Sequence, residues 1–342
     1  MLITTPSGLF CPDGGFHVDP WGAADLAIIT HAHADHARFG ARRYLTAGPG
    51  RLILAHRLAG QTIESLAYGE SRRIGGVTVS LHPAGHVLGS AQVRIERAGE
   101  VWVVSGDYKV EADGVCEPFA PVRCHRFISE CTFGLPIYRW QPQAIVAGEI
   151  NSWWRSCRER ARTAVLGVYS LGKAQRVLSM LQGDDAPILV HGAVAPIVEL
   201  HRAAGVRLPP TLPATKENAA AFRGRAFVLA PPSALASPWL RSFGEVETGL
   251  ASGWMRVRGT RRRSGIDRGF VLSDHADWPG LLAAIDATGC AEVGLTHGFV
   301  DPLRRWFDER GMPTTVYQTK FTGEDAEGGA EAGAAAPAEG ST

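Results

Sequence analysis

The sequence predicts an α/β protein in which one mixed domain is interrupted by a second, smaller one. Three observations carry that expectation. Residues 1–145 read as short β-branched runs broken by Gly, Pro and polar turns; 146–264 repeat strand, glycine turn and helix; and 265–320 return to strands that end in polar residues.

In the first segment, Leu26–Thr30, Val77–Leu81, Gln92–Ile95 and Val101–Val104 suit strands, and 37–44 and 55–67 have the spacing of helices. Apolar positions then recur at helical spacing over Ile145–Ala161. The strand-like Ala164–Tyr169 passes through Ser-Leu-Gly into a helix over Lys173–Leu181, and strand texture recurs at Ile188–Gly192 and Phe227–Leu229. Beyond these, Gly269–Ser273 and Val293–Thr296 read as strands flanking a helix over Pro279–Ala287, and their polar ends assign them to the first segment. Residues 321–342 form the final stretch, which from Gly323 is Ala, Gly and Glu without a large apolar side chain. Such a composition cannot offset the entropy of ordering, so a disordered tail is expected.

The 342 residues, 45% of them hydrophobic, allow a real core, and a net charge of +1 leaves any polyanion affinity to local basic surface. No apolar run approaches the roughly 18 residues of a membrane span, and Met1–Phe10 lacks a basic region followed by an apolar block, so a cytoplasmic location without membrane contact is expected. The six cysteines are too sparse for a disulfide framework and none has C-x-x-C spacing.

Chemistry concentrates directly behind the strand Leu26–Thr30, in His31-Ala-His33-Ala-Asp35-His36. Imidazole and carboxylate are the protein ligands suited to zinc or manganese in a hydrolytic site. Alternate residues of an extended segment point the same way, so His31 and His33 can converge on one ion while Asp35 and His36, past the bend, reach a second. His86, Asp107 and His297 occupy similar places, at strand ends beside glycines. Singly, each is equally well read as a turn residue.

Together with Asp19 these residues follow the order and spacing of the metallo-β-lactamase superfamily's motifs. Ser129-Glu130-Cys131-Thr132-Phe133-Gly134, Ser273-Asp274-His275-Ala276-Asp277 and Thr296-His297-Gly298 resemble motifs A, B and C of its β-CASP nuclease branch. That branch contains RNase J, the polyadenylation cleavage endonuclease and Artemis-like DNA nucleases. A histidine at motif B is similar to the RNase J and polyadenylation side. The short length and Pro-Ala-Gly-His86-Val-Leu-Gly-Ser resemble the bacterial ligase-associated DNA exonucleases. The resemblance covers residues 10 to about 315.

It implies a four-layer αββα sandwich from 1–145 and 265–320, a β-CASP-like domain inserted between, and a cleft that admits a single strand. It also implies two divalent metal ions, Zn²⁺ first and Mn²⁺ as the alternative. His31, His33 and His86 would hold one and Asp35, His36 and His297 the other, with Asp107 bridging and Asp19 fixing a ligand imidazole. Two such ions make a shared water nucleophilic toward phosphorus. His275 would then protonate the leaving oxygen as general acid, with Glu130 hydrogen-bonded to it. The implied function is a DNA exonuclease of DNA repair, in functional association with a DNA ligase and helicase. An RNA-processing nuclease is the alternative, and a small-molecule metallo-hydrolase or a non-cutting scaffold are further ones.

Two segments are candidates for holding the substrate. Ser170 and Lys173 sit at a strand–glycine–helix junction, which offers N–H groups and a cation to phosphate or serves only as a structural turn. Arg256, Arg258, Arg261, Arg262, Arg263 and Arg268 are dense enough to follow a nucleic-acid backbone, or to be a solvated loop. Trp153 and Trp154 are read as core, because adjacent tryptophans on a helix point in different directions.

Overall fold

Alternation of apolar and polar residues drives the strands of the first unit, and the faces they bury set its layers. In the computed structural model, which describes residues 1–182, 186–257, 259 and 265–321, the chain divides into two units. One is Met1–Arg139 with the described residues 274–321; the other is Trp140–Ser273.

The first unit holds two sheets. The six-stranded one runs Ile3–Thr5, Gly8–Cys11, Phe16–Val18, Ala24–Ile28, Ala41–Ala47 and Ile63–Leu66, antiparallel at its start and parallel from Phe16–Val18 onward. The seven-stranded one runs Thr314–Val316, Glu292–Gly298, Arg126–Cys131, Glu100–Val104, Ala91–Arg97, Val77–Pro83 and Ser71–Ile74. Its late strands Glu292–Gly298 and Thr314–Val316 add in parallel beside Arg126–Cys131. Side chains of both sheets, among them Phe16, Ile28, Leu45, Val79, Val93 and Ile128, share one core. On the other face of the seven-stranded sheet, Val103, Phe127 and Leu295 pack with Leu281 and Ile285 of the helix Trp278–Thr288 and with Leu303 and Phe307 of the helix Val300–Asp308. The helix Trp278–Thr288 is started by Asp277, whose Oδ1 accepts from Gly280 N at 2.9 Å, and stopped by Gly289 in the left-handed region.

In the second unit the strands Leu212–Pro213, Ile188–Val190, Phe227–Ala230, Thr163–Gly167, Val246–Ala251 and Arg268–Phe270 pair in parallel throughout. Helices Gln143–Glu159 and Lys173–Met180 pack on this sheet through Ile150, Trp153, Trp154, Val177 and Leu178. Both tryptophans are core residues: Trp153 donates to Glu247 at 2.6 Å and Trp154 to the Arg225 carbonyl at 3.1 Å.

Three expectations are corrected by this arrangement. The strand after residue 265 does not join the first unit; Arg268–Phe270 pairs with Val246–Ala251, and Phe270 inserts beside Trp153 at 5.3 Å, so the crossing falls at Asp274. Residues 37–44 are not a helix, and of 55–67 only 55–57 is helical. Ala41–Ala47 and Ile63–Leu66 pair as neighbouring strands, and the helix between them is Arg51–Arg57, because cross-strand pairing outweighs a weak helical period. Arg258, Arg261, Arg262, Arg263 and the tail from 322 lie outside the described residues. Among the described residues no helix is long and apolar enough to cross a membrane, and all six cysteines are free thiols.

Candidate metal centre

Each nominated side chain of the centre is delivered by a strand end of the first unit. Ala24–Ile28 leads through Ile29 and Thr30 into His31, His33, Asp35 and His36; Val77–Pro83 leads to His86, Glu100–Val104 to Asp107, and Glu292–Gly298 carries His297. Positive φ at Gly85, Gly106 and Gly298 permits these sharp exits. At Gly106 a Cβ would stand 2.6 Å from the Thr30 Cβ, so that position has no room for a side chain.

Asp107 is the hub. Its Oδ2 lies 3.5 Å from His31 Nε2, 3.4 Å from His36 Nε2 and 3.9 Å from His86 Nε2, while Oδ1 lies 3.2 Å from His297 Nε2. One potential ligand set is His31, His33, His86 and Asp107; another is His36, Asp107 and His297. Asp35 Oδ2 sits 3.8 Å from His36 Nε2. The buried atoms His31 Nε2, His36 Nε2, His297 Nε2 and Asp107 Oδ1 have no hydrogen-bond partner. Leaving such polar atoms unsatisfied is costly, and a shared cation would satisfy all of them, so the donor set fits a pair of divalent ions.

The far sides of the rings are tied down. His86 Nδ1 donates to the Asp274 carbonyl at 2.7 Å, which leaves Nε2 as the atom facing the hub. Asp19 Oδ2 accepts from His36 Nδ1 at 2.8 Å, and the same carboxylate accepts from Thr30 N at 2.8 Å and Thr30 Oγ1 at 2.6 Å. Asp19 keeps this pose at a φ of 44°. Nothing in the sequence singles out Thr30 beyond its place before His31.

Charge follows burial and neighbours. Burial, reinforced by the charge of His36, holds the pKa of His31 well below its ordinary value, and burial with His275 does the same to His86. Burial also opposes charge on His36, but Asp107 and Asp35 outweigh it and lift that imidazole well above the usual range. Asp107 in turn is held well below the ordinary carboxylate value: burial disfavours its charge, and His36 and His297 overcome it.

Next to this cluster, His275 Nδ1 lies 2.9 Å from both oxygens of Glu130. Glu130 also accepts from Tyr108 N at 2.9 Å and Thr132 N at 3.3 Å, and Asp107, Glu130 and His275 are mutually close enough to share a ligand. Ser170 and Lys173, in the second unit, are both buried, and the Lys173 ammonium sits 4.4 Å from the Tyr169 ring centroid. The junction is therefore buried rather than open to solvent.

Imidazoles converging on one carboxylate at the end of a β-scaffold form a cluster that could hold metal ions. No protein-family model matches the chain. Over 308 residues, 89% of this chain, it is 31% identical to a probable DNA ligase of Opitutus terrae, of which it covers 30%. It is 26% identical over 195 residues to cleavage and polyadenylation specificity factor subunit 3 of Dictyostelium discoideum, and 26% identical over 196 residues to the endoribonuclease YSH1 of Yarrowia lipolytica. Each of these matches covers 46% of this chain, and 24% and 23% of the relative. The chain thus spans under a third of the length of each of these relatives. A crystal structure of a protein of unknown function from Enterococcus faecalis V583 superposes with a TM-score of 0.58 at 10% identity, over 85% of this chain and 78% of that one, and shares the fold alone. These similarities are consistent with the β-CASP nuclease branch of the metallo-β-lactamase superfamily.

Proposed function

We propose that the protein is a metal-dependent phosphodiesterase that acts as a DNA exonuclease in DNA repair, in the cytoplasm. Its first unit is read as the αββα sandwich of the superfamily and its second as the β-CASP insert. The observation that carries the proposal is Asp107, which faces His31, His36 and His86 with one oxygen and His297 with the other, beside a His275 gripped by Glu130.

His31, His33 and His86 would hold one divalent ion, Asp35, His36 and His297 a second, and Asp107 would stand between them; Zn²⁺ suits the imidazole-rich set and Mn²⁺ the same geometry. Bound there, the ions would supply Lewis acidity toward a phosphoryl oxygen and a nucleophile drawn from water. The chain's own residues do the rest. Asp19 keeps His36 in the tautomer that offers Nε2. Glu130 holds the Nδ1–H of His275 and balances positive charge on the ring, so Nε2 is the atom that hands a proton to the leaving oxygen.

DNA is favoured over RNA because the match to the probable DNA ligase runs over 308 residues, against 195 and 196 for the two relatives named for RNA processing. A nuclease aligned to part of a ligase suits trimming of DNA ends before joining, in association with a ligase and helicase. RNA processing is the second reading, supported by those same two relatives. Digestion of end-labelled single- and double-stranded DNA and RNA with added Zn²⁺, Mn²⁺ or Mg²⁺ tests both. Stepwise loss from a DNA end is expected; preferential cutting of RNA overturns the choice of substrate.

A further inference from the structure

Phe321 lies where composition predicts the start of a tail, yet its ring is stacked on His36, with centroids 4.1 Å apart and planes 17° apart. It also meets His297 edge-on at 5.4 Å and Trp21 at 5.8 Å. The approach is anchored along its length. Tyr317 N donates to the Leu295 carbonyl at 2.8 Å, the Tyr317 hydroxyl accepts from Arg126 at 3.0 Å, and Arg38 donates to the Lys320 carbonyl at 3.3 Å. Trp21 is itself fixed through Nε1 to the Pro6 carbonyl at 2.8 Å. Behind the ring, Phe321 closes a cavity of about 10 Å³ lined by Asp19, His36, Ser105 and His297, which is room for about one water.

Among the described residues, two of the imidazoles around Asp107 meet the Phe321 ring, and they are the pair grouped with Asp107 in one ligand set. The rings of His31, His33 and His86 pack among themselves at 4.8 Å without touching Phe321, and His31 also lies 4.1 Å from the His36 ring. We infer that Phe321 is a positioning residue for one half of the centre: it clamps the His36 and His297 rings and keeps bulk water off them, and so raises the affinity for the ion those two residues hold. The physical basis is that an apolar wall controls solvent access to a metal site, and a flat ring laid on an imidazole limits its rotation. The inference rests on the centre being a metal site.

The test is Zn²⁺ titration of the full chain in competition with a chromophoric chelator. Wild-type protein is expected to take up two equivalents. Phe321→Ala and Phe321→Leu, the second of which keeps apolar volume without a flat ring, should weaken one equivalent roughly 10–100-fold and leave the other unchanged. Phe321→Tyr, which keeps the ring, should bind both as wild type does. Two-equivalent binding by Phe321→Ala and Phe321→Leu at wild-type affinity overturns the inference, as does equal weakening of both equivalents. Wild-type protein that takes up no Zn²⁺ sinks the metal-centre reading itself, and this inference with it.

Discussion

His275 and Asp107 show how much of the chemistry depends on where single atoms face. Asp107 faces four imidazoles because its two oxygens point to different rings, and the buried Nε2 atoms of His31, His36 and His297 lack a hydrogen-bond partner. His275 adjoins that set and is held by Glu130 at 2.9 Å through both carboxylate oxygens. Replacing it with alanine should leave metal content intact and lower turnover on labelled DNA roughly 10²-fold or more, the usual worth of a positioned acid. Turnover at the wild-type rate with both ions retained would remove His275 from the reaction. At this scale the sequence was informative about residue type and silent about direction. The run His31 to His36 advertises ligands, whereas nothing in Thr30 announces that it holds Asp19 with both its N–H and its hydroxyl.

Elements matter because every candidate ligand lies at or shortly past the end of a strand, so the register of the sheet positions the centre. Gly298 illustrates the coupling. It has a φ of +96°, and an added Cβ would lie 2.3 Å from the Cys131 carbonyl of the neighbouring strand. Gly298→Ala should force Glu292–Gly298 away from Arg126–Cys131, cost about 2–3 kcal/mol, and displace His297 from Asp107. Urea unfolding of the metal-free protein checks the first effect and Zn²⁺ stoichiometry the second; an unshifted midpoint would show that the crowding is relieved elsewhere. Long periodic stretches such as Gln143–Glu159 were readable in the sequence, because a full helix repeats its apolar face several times. Ala41–Ala47 and Arg268–Phe270 were misread. Which sheet a short strand joins is decided by partners far away in sequence, here Ile63–Leu66 and Val246–Ala251.

For the whole molecule, the charge state of the centre links metal binding to pH. His36 is carried well above its ordinary value near 6.5 by Asp107 and Asp35, so in metal-free protein it keeps its proton below that raised value. An ion needs the neutral ring. Binding must therefore expel a proton, and affinity should fall as pH drops below the raised value and level off above it. His31 and His86 are held neutral by burial and add no such release near neutrality. Titration calorimetry in buffers of different ionisation enthalpy should find proton release with the two ions at pH 7, from His36 and from any water the ions acidify; release of none would contradict the charge assigned to His36.

By itself the sequence determined the vocabulary of the centre, its histidines and carboxylates placed at strand ends, and the change from mixed strands to repeating strand and helix, since both are local patterns of residue type. Only the tertiary structure decided that Asp107 is the hub, that the chain crosses back at Asp274, and that Phe321 leaves the expected tail to lie on His36. Those outcomes depend on contacts between residues hundreds of positions apart. A side chain's reach is set by the packing of the strands that carry it, and no local pattern encodes that distance.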